Sequence, residues 1–255
     1  MAQYTSRNAK EFVDEAEKII TLAKEKGVTL RLIGALAFNL HCPQYNYIHE
    51  RWGRVFTDTD FVSKVEYGPI LKEVYGELGY QDDEMITTLY GSKRMVFDNP
   101  TTGFHSDIFF DQLDFCHILP LRERLNVDSL TIPLAELVLE KMQIVEINEK
   151  DLIDTIMLLL EHPIGESDNE VINAKIIANY LALDWGFWKT VTLNFAKLKT
   201  ILGNSDVFNA KDKELVQERL ALLEDYINKE SKTLKWRMRD KIGTKVKWYK
   251  DVDEL

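Results

Sequence analysis

Apolar residues Phe12, Val13, Ala16, Ile19, Ile20 and Ala23 recur at three- and four-residue intervals. That is the repeat of one helical face, and it predicts a helix over residues 8–26 that Gly27 stops. The period then shortens. Leu30, Leu32 and Ile33 read as a buried strand, Gly34 turns the backbone, and residues 35–40 begin a short helix. Residues 43–53 keep neither period. They form a polar, aromatic insert whose Tyr45, Tyr47 and Trp52 either make a lip that stacks on a base or plug a core edge. A strand is predicted at 58–63 and a helix at about 67–78. A meander through 85–89 and 94–97 follows, turned at Asn99-Pro100 and Gly103, and then a strand at 105–110. From Pro133, a residue suited to the first helical position, the repeat stays helical. It runs through LAELVLEKMQIVEI, then 149–160, 169–182, 184–202 and 212–228. This order predicts an α+β protein: a mixed β-sheet with flanking helices over 1–132, then a helical domain over 133–255, with a hinge near 162–168.

Composition narrows the partners. The 255 residues carry a net charge of −10, with 45% apolar and 29% charged positions, as expected of a globular chain with a substantial core. That charge argues against a general nucleic-acid coat, which is normally basic. No apolar run approaches the ~20 residues of a membrane helix, and MAQYTSRNAKEF lacks the apolar core of a signal peptide. Two cysteines make no disulfide framework, so a reducing cytoplasm is expected. The tail SKTLKWRMRDKIGTKVKWYK interleaves basic residues with Trp236, Trp248 and Tyr249. It suits either an RNA or nucleotide surface or a solvated helix with aromatic anchors.

Candidate chemistry centres on Asp58 and Asp60. Residues two apart in a strand project from one face, so the two carboxylates aim at one place. They repel unless a cation lies between them, and hard oxygen donors favour Mg²⁺ or Mn²⁺. Asp107 stands beside Ile108, Phe109 and Phe110; a carboxylate so placed meets either a cation or a salt bridge, because burying it alone is costly. His105 shares its face, either tuning the site or touching substrate, or else simply packed or solvent-exposed. Gly34 and Ala35 permit close backbone approach to an anion at a helix N-terminus, or just tight packing. His41-Cys42 and Cys116-His117 are poorly spaced for tetrahedral zinc, whose ligands usually stand two to four residues apart. Gly91-Ser92-Lys93-Arg94 lacks a full phosphate-loop pattern and reads as a hairpin turn.

Taken together, Gly34-Ala35, Arg54, Thr57-Asp58-Thr59-Asp60 and Asp107 resemble the signature of the DNA polymerase β-like nucleotidyltransferase superfamily. Further on, Pro133-Leu134-x-Glu136-Leu137, Glu140-Lys141-Met142-Gln143 and Lys150-Asp151-x-x-Asp154 resemble its bacterial branch of AbiEii-type toxins. The resemblance spans about residues 30–160. It implies a nucleotidyltransferase-like fold in which Asp58, Asp60 and Asp107 bind Mg²⁺ (or Mn²⁺), with Asp107 also helping to deprotonate the attacking hydroxyl. It further implies that Gly34, Ala35, Arg54, Thr57, Lys141, Lys150 and Asp151 line the nucleotide in a cleft between the lobes, with Asp151 equally able to cap or brace its helix. The implied reaction moves a nucleoside monophosphate from an NTP, such as ATP, to a hydroxyl on a small molecule, protein or RNA. A non-catalytic nucleotide- or protein-binding relative and a two-metal phosphoesterase are the alternatives.

Overall fold

The structure, a computed structural model, describes residues 8–251. In chain order its elements are α1 (Ala9–Glu25), β1 (Leu30–Ile33), α2 (Gly34–His41), α3 (Tyr47–Arg51), β2 (Thr59–Ser63), α4 (Gly68–Glu77), β3 (Gln81–Asp82), α5 (Glu84–Tyr90), β4 (Arg94–Asp98) and β5 (His105–Phe110). Then come β6 (Gln112–Asp114), β7 (Ile118–Pro120), α6 (Leu134–Met142), α7 (Glu149–Glu161), β8 (Ile164–Gly165), β9 (Ile172–Asn173), α8 (Ala174–Leu183), α9 (Trp185–Asn204), α10 (Ala210–Lys229) and α11 (Leu234–Ile242). The chain divides into two compact units. One comprises 8–40, 53–113 and 120–133; the other comprises 41–52, 114–119 and 134–251. Residues 162–168 lie inside the second.

The first unit is built on a five-stranded mixed sheet of order β1-β2-β5-β4-β3. Only β2 and β5 run parallel; the other pairs are antiparallel. Strand β2 is buried along nearly its whole length, with Phe61, Val62 and Ser63 fully enclosed. Its polar ends are satisfied where they are buried, with the Ser63 hydroxyl donating to the Thr29 carbonyl and the Thr59 hydroxyl to the His105 carbonyl. Helix α1 starts with a capping box, in which Asn8 Oδ1 accepts from the Glu11 N–H and Glu11 from the Asn8 N–H. It packs its Phe12–Ala16–Ile19–Ile20–Ala23 face against β1 and α4. Fully burying one such large side chain is worth roughly 1.5–3 kcal/mol. Tyr75 of α4 stacks on Phe97 with centroids 4.1 Å apart, and its hydroxyl lies 2.7 Å from Ser106 Oγ. A buried phenol thus keeps a polar partner while pinning α4 to β5.

The second unit is helical apart from short strands, of which β8 and β9 pair in parallel. Side-chain caps set its helix starts. Asn148, Asn173, Asp184 and Asn209 each accept from backbone N–H groups of the following turn.

Four expectations need correction. Residues 85–89 are not a strand but lie in α5, because Asp83 accepts from the N–H groups of Met85 and Ile86 and nucleates a helix. Gly91-Ser92-Lys93 is accordingly not a hairpin turn; it joins α5 to β4. The insert at 43–53 is not wholly irregular, since it contains α3. The helix expected over 169–182 starts later, at Ala174, after β9.

Candidate active site

Registry places the acids. Across the sheet, Ile33 of β1 pairs with Asp60 of β2, Asp60 with Asp107 of β5, and Asp107 with Val96 of β4. Cross-strand partners project from the same face, so Asp60 and Asp107 are immediate neighbours on parallel strands. Asp58 lies two residues before Asp60, just ahead of the strand, and is half-buried, as is Asp60. Gly34 follows Ile33 directly and has φ +70°, the left-handed region. A Cβ on Gly34 would lie 2.7 Å from Asp60 Oδ2. The glycine is required twice, for backbone sign and for room beside the carboxylate. Ala35 occupies the first turn of α2, half-buried; Arg54 is half-buried and Thr57 exposed on the approach to β2.

Asp107 has found a salt bridge. Arg94 of β4 grips it with two hydrogen bonds, Nε to Oδ1 at 3.2 Å and Nη2 to Oδ2 at 2.9 Å. His105 adds Nε2 at 3.8 Å from Oδ2, while its Nδ1 lies 2.8 Å from Asp98. Burial pushes the Asp107 carboxyl up, but the His105 and Arg94 contacts outweigh it and hold the group below the usual carboxylate range. His105 moves the other way: its hydrogen bond to Asp107, helped by Asp98, raises it to about 9 against the opposing effect of burial. The third acid is therefore firmly ionised and flanked by two cations. Sequence reasoning missed Arg94. Its signal was present, a lone guanidinium beside the apolar Met95-Val96-Phe97, two positions along β4 from the residue paired with Asp107.

In the second unit, Lys141 of α6 is only 12% exposed and lies 3.2 Å from Asp151, 3.6 Å from Glu140 and 3.8 Å from Asp154. Asp154 is fully buried and meets His49 Nε2 at 2.8 Å. Asp151 thus links α7 to α6 through Lys141, whereas Lys150 is exposed. The two tail tryptophans turn their ring N–H groups toward the protein. Trp236 Nε1 donates to the Leu181 carbonyl at 3.0 Å, and Trp248 Nε1 to Thr190 Oγ1 at 3.1 Å. From the insert, Trp52 stacks on Phe208 at 6.3 Å, the core-plugging geometry.

Fold and side chains together define a mixed-sheet protein with two aspartates in register beside a glycine turn. No protein-family model matches the chain, and no curated protein gives a significant match. Among solved structures it is similar to an antigenic nucleotidyltransferase-like protein from Paracoccidioides brasiliensis, at 13% identity and TM-score 0.42, over 88% of this chain and 95% of that one. It is also similar to the antibiotic-resistance factor ANT(2'')-Ia, at 13% identity and TM-score 0.35, over 88% of this chain and 100% of that one. Neither likeness assigns an activity. No helix among the described residues is long and apolar enough to cross a membrane, and both cysteines are buried free thiols.

Proposed function

We propose that this chain is a divalent-metal-dependent nucleotidyltransferase, which moves a nucleoside monophosphate from an NTP to an acceptor hydroxyl and releases pyrophosphate. The observation that carries the reading is the in-register Asp60–Asp107 pair with Gly34 against the Asp60 carboxylate. The donor set fits Mg²⁺ or Mn²⁺: it consists of hard carboxylate oxygens, beside a space that any Cβ at position 34 would fill. Asp58 and Asp60 would hold the ion, joined by Asp107 through the lone pairs that Arg94 leaves. When bound, the ion supplies charge neutralisation on the transferring phosphoryl group. The protein's own part is placement. The start of α2, at Gly34 and Ala35, would present a favourable dipole sense to a bound anion, and Arg54 and Thr57 border the same strand. Arg94 and His105 keep Asp107 charged and fixed beside Asp60.

The second reading is a non-catalytic nucleotide binder. It is favoured by the Arg94–Asp107 pair, which already neutralises the third acid. Within the transferase reading, the Lys150-Asp151-x-x-Asp154 segment makes an AbiEii-like toxin component the finer expectation. Incubating a lysate with α-labelled NTPs and Mg²⁺ tests the proposal, with Asp58→Asn and Asp60→Ala as controls. Transfer of label to an acceptor, with pyrophosphate release that both variants lose, is the expected result. Mg²⁺-dependent NTP binding without pyrophosphate release would establish the binder, and labelled nucleotide with no labelled acceptor would establish a phosphoesterase.

A further inference from the structure

The second unit holds a cluster that phosphoryl chemistry leaves unused. His41 at the end of α2, His162 just after α7 and Glu170 each bring one ligand atom, and the three atoms lie within 4.8 Å of one another. The His162 side chain is 5% exposed and that of Glu170 73%, so the cluster reaches from the interior to solvent.

The tautomer of His162 is set by its surroundings. Nε2 lies 2.8 Å from the backbone carbonyl of His41, a group that only accepts, so Nε2 carries hydrogen and donates. In the neutral ring this leaves the lone pair on Nδ1. That nitrogen lies 3.3 Å from the Glu170 carbonyl oxygen and 3.4 Å from Glu170 Oε2. Lone pairs so opposed repel, and a cation among them turns repulsion into ligation. The His162–Glu170 separation agrees, because ligands at about 2.0–2.1 Å from a tetrahedral zinc stand roughly 3.4 Å apart. Donation of the second ring N–H to a backbone carbonyl is also the usual support of a metal-bound histidine.

The backbone supplies an independent observation. Glu170 has φ +54°, a region that costs a non-glycine residue free energy and that is kept where surrounding structure enforces it. Here the enforcement comes from the β8–β9 pairing, with the Ile172 N–H donating to the Pro163 carbonyl at 2.9 Å. The strained residue is the one that presents its carboxylate to His162.

We propose that His41, His162 and Glu170 form a zinc site whose fourth position is open to water. Two imidazoles and one carboxylate favour zinc over magnesium, so this site is chemically separate from the aspartates of β2 and β5. The ion would cross-link the 41–52 segment, the end of α7 and the loop before β9. The His41-Cys42 and Cys116-His117 pairs considered from sequence are not its ligand set, because the partners of His41 come from residues distant along the chain.

The test uses the full chain, stripped with chelator, then loaded with Zn²⁺ for elemental analysis and titrated with Co²⁺ in the visible region. We expect about one retained zinc per chain and the intense visible absorption of four-coordinate cobalt. Glu170→Gln and His41→Gln should each weaken Co²⁺ binding by at least ~10-fold. Because Glu170 is largely exposed, its variant keeps the fold, which circular dichroism checks. Asp60→Asn should leave the cobalt spectrum unchanged. Absence of zinc retention by the wild type, equal uptake by Glu170→Gln and His41→Gln, or loss of the spectrum in Asp60→Asn would each overturn the assignment. These readouts involve no nucleotide, so the proposal fails or stands apart from nucleotidyl transfer.

Discussion

Replacing Gly34 by alanine probes the site at its tightest point, and the fold supplies its own control. Gly27 and Gly34 both have left-handed backbones, φ +76° and +70°. An L-residue in that region costs roughly 1–2 kcal/mol. A Cβ at Gly27 meets nothing within 4 Å, so Gly27→Ala should cost that strain alone. At Gly34 the new Cβ lies 2.7 Å from Asp60 Oδ2 and 3.5 Å from Asp60 Cβ and Cγ. The carboxylate must retreat by roughly 0.7 Å or more to restore an ordinary contact. Overpacking of this kind adds about 1–3 kcal/mol, giving ~2–5 kcal/mol for Gly34→Ala. If Asp60 rotates aside, the energetic cost falls but the metal ligand is displaced, so two readouts are needed. Urea unfolding gives the difference between the two variants, and Mn²⁺ titration reports the carboxylate. Gly34→Ala should be the less stable variant or should lose Mn²⁺ affinity, whereas Gly27→Ala should bind Mn²⁺ as wild type does. Equal stability of the two variants with unchanged Mn²⁺ binding in Gly34→Ala would refute the reasoning.

Other perturbations separate structural from chemical roles. Arg94→Met leaves the 7% exposed Asp107 with His105 as its remaining cation, and should cost about 1–3 kcal/mol in urea unfolding. Adding Asp107→Asn should recover most of that loss; no recovery would mean that Arg94 acts through packing. Lys141→Met removes the ammonium from Asp151 and from the fully buried Asp154, which keeps His49, and should destabilise by about 3–5 kcal/mol, partly restored by Asp154→Asn in the same chain. A cost under ~1 kcal/mol would mark that network as solvent-screened. Burial lowers His117 to about 4, and its ring stacks on Phe187 at 5.1 Å. Thr190 Oγ1, which accepts from Trp248, lies 2.8 Å from His117 Nε2 and can give its proton only to an unprotonated nitrogen. The unfolded chain therefore binds a proton at higher pH than the fold does. The stability from neutral His117 is complete above about pH 6.5 and declines as pH falls to about 4, by at most ~3 kcal/mol. His117→Phe should flatten that part of the profile, and an unchanged acid limb would contradict the assignment.

Much of the fold was legible because its signals are local. The spacing of Phe12, Ala16, Ile19 and Ala23 predicts a helix and its buried face, and those residues are buried. The apolar residues of β1 and β5 likewise mark strands, and both enter the sheet. Failures came where a short apolar run suits two periods. Met85–Leu89 reads as a strand until Asp83 is recognised as a cap, and the cap then decides for helix. Trp236 and Trp248 show the same limit on the surface side, since a basic, aromatic composition does not reveal which rings turn inward.

The sequence by itself determined which residue types stand near which elements: acids opening β2, an acid within β5, a glycine after β1, and helical periodicity from Pro133 onward. Those properties follow from steric and hydrophobic preferences that act over a few residues. Only the tertiary structure decided that β2 and β5 lie side by side and parallel, in the one register that sets Asp60 against Asp107; a slip of one residue would turn one of them to the opposite face. It also decided that Arg94 closes on Asp107 and that His41 meets His162, 121 positions away. Such pairings arise from strand registry and helix packing, which no local periodicity along the chain reports.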